Sequence, residues 1–132
     1  MSIELTMLVW TLILAFVQVL LFSSARTAQY GRKWNTGPRD AAMPPLNPVA
    51  GRLQRAQTNL FETLPLFMGG VLVAHLIDRE NKLTAIGAQL YFWGRVAYLP
   101  LYALGIPFIR TLVWLASAAG LVLIYYVLLM PQ

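Results

Sequence analysis

The sequence predicts an all-α integral membrane protein built as a four-helix bundle, and three observations carry that reading. Hydrophobic residues make up 58% of the 132-residue chain and charged residues only 11%, too apolar and too charge-poor for an ordinary water-soluble domain. Four stretches, near residues 5–25, 58–77, 83–104 and 111–130, are each long enough to cross a hydrocarbon core, which takes about 20 apolar residues. With their connections these stretches use up nearly all of the chain, so residues 1–132 read as a single transmembrane domain with no room for a soluble one.

The first span is uncharged up to Phe22, with Gln18 its most polar member. Glu4 stands ahead of it, and no Lys or Arg does; a cleavable signal peptide begins instead with a positively charged segment, so the span is expected to remain. A polar connection follows, whose Gly37-Pro38, Pro44-Pro45 and Pro48 disfavour helix there. A second helix starts near Pro48-Val49, passes through Arg52, Arg55, Asn59 and Glu62, and is apolar from Leu64 onward, with Pro65 expected to bend it. The charge-balanced run Asp78-Arg79-Glu80-Asn81-Lys82 makes a short turn, so the second and third helices form an antiparallel hairpin. Gly105-Ile106-Pro107 breaks the chain again, and Arg110 stands at the entrance to the fourth span. Ala116, Ala119 and Gly120 give that span a small-residue side suited to close helix approach.

Charge placement orients the bundle. The first and third connections and their flanks hold Arg26, Arg32, Lys33, Arg39, Arg52, Arg55 and Arg110, whereas the second holds only Arg79 and Lys82. Lys and Arg collect on the cytoplasmic side of short loops, which puts the first and third loops in the cytoplasm and both termini opposite. The net charge of +5 therefore reads as a topology signal and not as a nucleic-acid surface. The absence of cysteine excludes a structural disulfide, a metal–thiolate centre and a thiol nucleophile of the chain's own. No metal is expected, and any sulfur chemistry must borrow its sulfur.

Charged groups inside membrane helices are costly and face protein, a cavity or a partner. At 100° per residue, Arg52, Arg55, Asn59 and Glu62 share an arc of about 80° on the second helix, and Tyr91, Arg95, Tyr98 and Tyr102 an arc of about 60° on the third. Both stripes lie toward the cytoplasmic ends, where Arg26 and Arg110 also return. The result is a polar pocket in which guanidinium groups outnumber the one nearby carboxylate, as if awaiting an anion. The plainer reading pairs Glu62 with Arg55 or Arg95 and places the tyrosines in an interfacial belt, with Arg52, Arg32 and Lys33 touching lipid headgroups. His75 reads as interfacial or structural, Trp10, Trp93 and Trp114 as packing or lipid-facing, and Gln18, Tyr125 and Tyr126 have no assignable partner.

The run Arg52-Leu53-Gln54-Arg55-Ala56-Gln57-Thr58-Asn59-Leu60-Phe61-Glu62-Thr63-Leu64-Pro65-Leu66-Phe67 closely resembles the second-helix signature of the MAPEG superfamily, the membrane-associated proteins of eicosanoid and glutathione metabolism. Arg95-Val96-Ala97-Tyr98-Leu99-Pro100-Leu101-Tyr102, followed by Gly105-Ile106-Pro107 and Arg110, resembles a second family motif. The resemblance implies a homotrimer of four-helix subunits, with glutathione bound between neighbours near the cytoplasmic face. Arg55, Asn59, Glu62, Tyr98 and Tyr102 would hold the tripeptide beside Arg95, and Arg26 and Gln57 its glycine end. Arg110 would be the catalytic group, lowering the pKa of the glutathione thiol. The implied activity is a glutathione transferase, with accompanying peroxidase activity, acting on hydrophobic electrophiles or lipid hydroperoxides. Thr63 stands where leukotriene-forming members have tyrosine, and Thr27 where the second of two adjacent arginines is found. One superfamily member binds lipid without chemistry, so a non-catalytic lipid-binding or scaffolding role is the alternative. A small multidrug or proton-coupled transporter is a third reading. The short chain suggests a bacterial inner membrane.

Overall fold

The computed structural model describes residues 1–131. Its helices are α1 (Ile3–Tyr30), α2 (Arg32–Thr36), α3 (Pro48–Leu76), α4 (Lys82–Ala103) and α5 (Pro107–Leu129). The starts follow from local chemistry. The Ser2 hydroxyl accepts from the Leu5 amide, the Asn47 side chain from the Ala50 amide, and Asn81 and Thr84 cap α4 reciprocally, each satisfying amides that the first helical turn leaves unpaired. Pro48 and Pro107 occupy first-turn positions, where a missing N–H costs nothing.

Three of the helices, α1, α3 and α5, have both the length and the apolarity of a membrane span. The expected third span, α4, has the length but falls short in apolarity, because it carries Gln89, Tyr91, Arg95, Tyr98 and Tyr102. The first connection also departs from expectation: despite its Gly-Pro and Pro-Pro breaks, residues Arg32–Thr36 form a short helix ahead of them. The rest of that connection is strapped to the end of α1. Gln29 donates to the Pro45 carbonyl at 2.9 Å and accepts from the Asn47 amide at 2.7 Å, and the Tyr30 hydroxyl donates to the Pro44 carbonyl.

The four long helices run alternately up and down, and α3 and α4 occupy the middle, since among the described residues the backbones of α1 and α5 do not approach each other. Leu8 and Ala15 of α1, Leu60, Leu64, Phe67 and Val71 of α3, Ala88 and Tyr91 of α4, and Leu121 and Ile124 of α5 form the common core. The Tyr91 ring stacks on Phe67 with centroids 4.1 Å apart, and its hydroxyl meets that of Thr63 at 2.8 Å. Tyr91 is thereby a core residue and not part of an interfacial belt. Only 28%, 33% and 22% of the apolar stretches of α1, α3 and α5 are buried within the chain, so most of their surface is left for lipid or another chain.

The most extensive contact is between α4 and α5, and it rests on missing side chains. A Cβ on Gly87 would lie 2.6 Å from the Gly120 carbonyl oxygen, and one on Gly94 would lie 2.9 Å from the Ser117 Cβ. The seam therefore runs through Ser117 and Gly120, whereas Ala116 and Ala119 of the expected small-residue side are exposed on the outer face.

At the end that carries both termini, side chains tie the elements together. Ser2 donates to Glu80 at 2.6 Å, His75 Nδ1 meets the other Glu80 oxygen at 3.0 Å, and Thr84 donates to the buried Glu4 at 2.7 Å. Arg79 donates to the carbonyls of Leu128 and Met130, closing the end of α5. Burial pushes the Glu80 carboxyl up, but hydrogen bonds with Ser2 and His75, together with the charge of His75, outweigh it and hold Glu80 below the ordinary carboxylate range.

Two outcomes are expected from this architecture. Gly120→Val should separate α4 from α5 and cost on the order of 3 kcal/mol, whereas Gly69→Ala, with open space beside it, should not; thermal unfolding in detergent checks the pair. A carboxyl held below its ordinary value in the folded chain contributes stability above that value and loses it as pH falls through the lowered one. Unfolding midpoints measured from about pH 7 to about pH 3 should therefore drop in acid, and Glu80→Gln should flatten that drop.

Candidate functional site

The end of the bundle opposite the termini gathers the last turns of α1 and α4 and the first turns of α3 and α5. Here the two polar stripes meet. Arg55 Nε donates to the Tyr102 hydroxyl at 3.1 Å, and the Arg110 guanidinium lies 4.5 Å from the centroid of the same ring. The Tyr98 and Tyr102 rings are 5.4 Å apart, and Arg95 lies 4.4 Å over Tyr98. Tyr98 and Tyr102 are four residues apart on α4, and the turn at Gly105 (φ +74°) brings α5 back so that Arg110 faces them.

Asn59 joins the stripes. Its Oδ1 accepts from Arg95 Nη1 at 2.8 Å and from Trp114 Nε1 at 3.0 Å. Arg95 is 2% exposed, and its Nε and Nη2 are buried without a hydrogen-bond partner. It stands behind Asn59 and Tyr98, while those two, with Tyr102, Arg110, Thr111 and Trp114, line an open cleft of about 340 Å³. Beside the cleft, and sharing Trp114 with it, an apolar groove of about 580 Å³ runs between α3 and α5 past Leu66, Val122 and Tyr126.

Several residues are placed otherwise than expected. Glu62 is exposed on the outer surface of α3, and the one ion pair among the described residues is His75–Glu80, so no internal pair of Glu62 with Arg55 or Arg95 exists. Arg52 donates to the Ala103 carbonyl at 3.4 Å and lies against Gly105, closing the end of α4 instead of reaching for a headgroup. Arg26 lies 5.1 Å from the Phe22 ring and 5.3 Å from the Trp34 ring, and among the described residues no hydrogen bond joins it or Gln57 to the cluster. The side-chain oxygen of Gln57 and the Nε of Arg26 are buried without partners among the described residues. Tyr125, without a partner in the sequence reading, donates to the Leu66 carbonyl.

Trp114 is the residue that the sequence reading set aside as packing. A signal for it existed: it stands four residues after Arg110, on the same face of α5. What no spacing rule supplies is its indole N–H meeting Asn59 across two helices.

The family model described as the MAPEG family matches residues 7–130. The chain belongs to the MAPEG family. Among curated proteins none matches it. The two motifs that resemble the family are 36 residues apart from Asn59 to Arg95, yet they meet at one side-chain amide, with the arginine that opens α5 at the rim of the same cleft.

Removing the Asn59 oxygen would take the hydrogen-bond partner from Nη1, the one Arg95 nitrogen that is not buried without a partner. Asn59→Leu is expected to cost about 1–3 kcal/mol, the penalty of a buried polar group losing its partner, read as a lower unfolding midpoint in detergent.

Proposed function

We propose that this MAPEG chain is a membrane-bound glutathione transferase. All four long helices cross the bilayer, and subunits assemble as homotrimers with the cleft near their boundaries on the cytoplasmic side. The polar side chains of α4 support its crossing despite its low apolarity, because Tyr91, Arg95 and Tyr98 are buried inside the subunit and not offered to lipid. The uncovered faces of α1, α3 and α5, and an exposed Glu62 partway along α3, support a neighbouring subunit.

One observation carries the reading: three guanidinium groups, Arg55, Arg95 and Arg110, converge on two tyrosines with no carboxylate within ion-pair reach among the described residues. Of the three only Arg95 is buried, where a cation without an anion is expensive; Arg55 and Arg110 are open to a ligand at the rim. Glutathione supplies what is missing. Its two carboxylates suit guanidinium groups, its ammonium suits the unpaired Glu62, and its amides suit Asn59, Gln57 and the tyrosine hydroxyls. Arg26 and Gln57 would hold its glycine end from the adjoining subunit, since neither reaches the cluster of its own.

Arg110 would then act on the sulfur. A thiol is mostly protonated at neutral pH, while the thiolate is the nucleophile, and a fixed cation beside it raises the reactive fraction. Each unit by which the thiol pKa falls corresponds to about 1.4 kcal/mol of preferential thiolate stabilisation. In conjugation the sulfur forms a bond to an electrophilic carbon as the leaving group departs with its electron pair, and the thiol proton passes to water. With a lipid hydroperoxide the thiolate attacks the peroxide, the O–O bond breaks to give alcohol and a sulfenic acid, and a second glutathione converts that acid to disulfide and water. The apolar groove that shares Trp114 with the cleft gives a hydrophobic electrophile a route from the lipid side.

The test is a titration of glutathione into the purified, detergent-solubilised protein, following thiolate ultraviolet absorbance. Wild type should give a saturable signal, and Arg110→Ala should lose it while still binding glutathione. Binding without a thiolate signal in wild type would move the reading to a non-catalytic, ligand-binding member of the family.

A further inference from the structure

The hydrogen bonds of Asn59 decide which way its amide faces. Arg95 Nη1 and Trp114 Nε1 both approach one terminal atom, at 2.8 and 3.0 Å. A guanidinium and an indole can only donate, so that atom is the carbonyl oxygen. Both of its acceptor directions are then taken, and the amide cannot flip without placing N–H groups against two donors. The Asn59 nitrogen has no acceptor among the described residues, and Asn59 lines the cleft.

We propose that Trp114 is a positioning residue for ligand recognition: with Arg95 it locks the Asn59 amide so that both N–H groups are offered into the cleft to a carbonyl or carboxylate oxygen of the ligand. The proposal rests on the glutathione reading above. It turns Asn59 from an ambidextrous amide into a dedicated donor, which matches the rest of the lining. Arg110 and Thr111 can donate, and so can the hydroxyls of Tyr98 and Tyr102, so the cleft selects for acceptor-rich ligands. Trp114 is suited to this task because its ring is also a wall between the cleft and the apolar groove, so packing on both sides holds the N–H in place. Phenylalanine at this position would keep the wall and remove only the donor.

The experiment is a double-mutant cycle on glutathione affinity in the full-length, detergent-solubilised protein, measured calorimetrically for wild type, Trp114→Phe, Asn59→Ala and the double variant. Trp114→Phe should weaken binding roughly three- to tenfold, the factor one hydrogen bond carries, and raise KM for glutathione more than it lowers kcat. The double variant should bind no more weakly than Asn59→Ala alone, because Trp114 acts through Asn59. Additive losses, or a fall in kcat with KM unmoved, would overturn the proposal while leaving the glutathione reading intact. Failure of wild type to bind glutathione would overturn that reading and this assignment with it. A ligand-free check needs no affinity: of the four tryptophan indole N–H resonances, the one missing in Trp114→Phe should move in Asn59→Ala, and its failure to move would refute the hydrogen bond itself.

Discussion

One side-chain oxygen, Asn59 Oδ1 on α3, receives hydrogen bonds from Arg95 on α4 and from Trp114 on α5. Arg95 is buried among these helices, so leaving it without this acceptor is costly. The junction therefore sets the rotation of three helices about one point. Given that rotation, Tyr98 and Tyr102 face the cleft, Arg110 falls over Tyr102, and the same faces of α3 and α5, further along the helices, bound the apolar groove. Packing alone would not specify it so closely, because an apolar helix can roll on lipid-like neighbours with little penalty.

The two ends of the bundle solve opposite problems. Around the termini, charged and polar groups find partners inside the chain: Ser2, Glu4, His75, Glu80 and Thr84 satisfy one another, and Arg79 closes α5. That end is a clamp. At the other end donors exceed acceptors, with Arg95 holding two unpartnered nitrogens and Glu62 standing apart from every cation among the described residues. Such an imbalance is costly in isolation, and it is what the proposed net-anionic ligand would offset. Between the ends, the glycine seam of α4 and α5 brings two backbones close enough to make them act as one element, so the cleft is carried on a rigid pair.

Much of this was legible from residue order. Membrane-length apolar runs, the Asp78–Lys82 turn and the Gly105 break follow from composition and local chemistry, and the helices start at the Asn47, Asn81 and Ile106 caps accordingly. The helical period placed Arg55 and Asn59 on one face and Arg95, Tyr98 and Tyr102 on another, and these faces do meet. The period failed where a side chain had a nearer partner than the cleft. Arg52 turns to the Ala103 carbonyl, and Tyr91 turns to Phe67 and Thr63. On α5 the expected Gly120 does stand at the seam, but Ser117 joins it there and Ala116 and Ala119 are left outside.

The sequence by itself determined that the chain is helical and belongs in a bilayer, because these depend on apolar length and charge count, and its two motifs carried the resemblance to the family that the family model matches. Only the tertiary structure decided that Trp114 donates to Asn59, that Glu62 forms no ion pair among the described residues, and that Arg95 stands behind the cleft and not in its wall. Those outcomes depend on the distances and relative rotation of separate helices. A periodic pattern gives the face a residue occupies on its own helix, but not which of several competing polar atoms on a neighbour lies within hydrogen-bond reach.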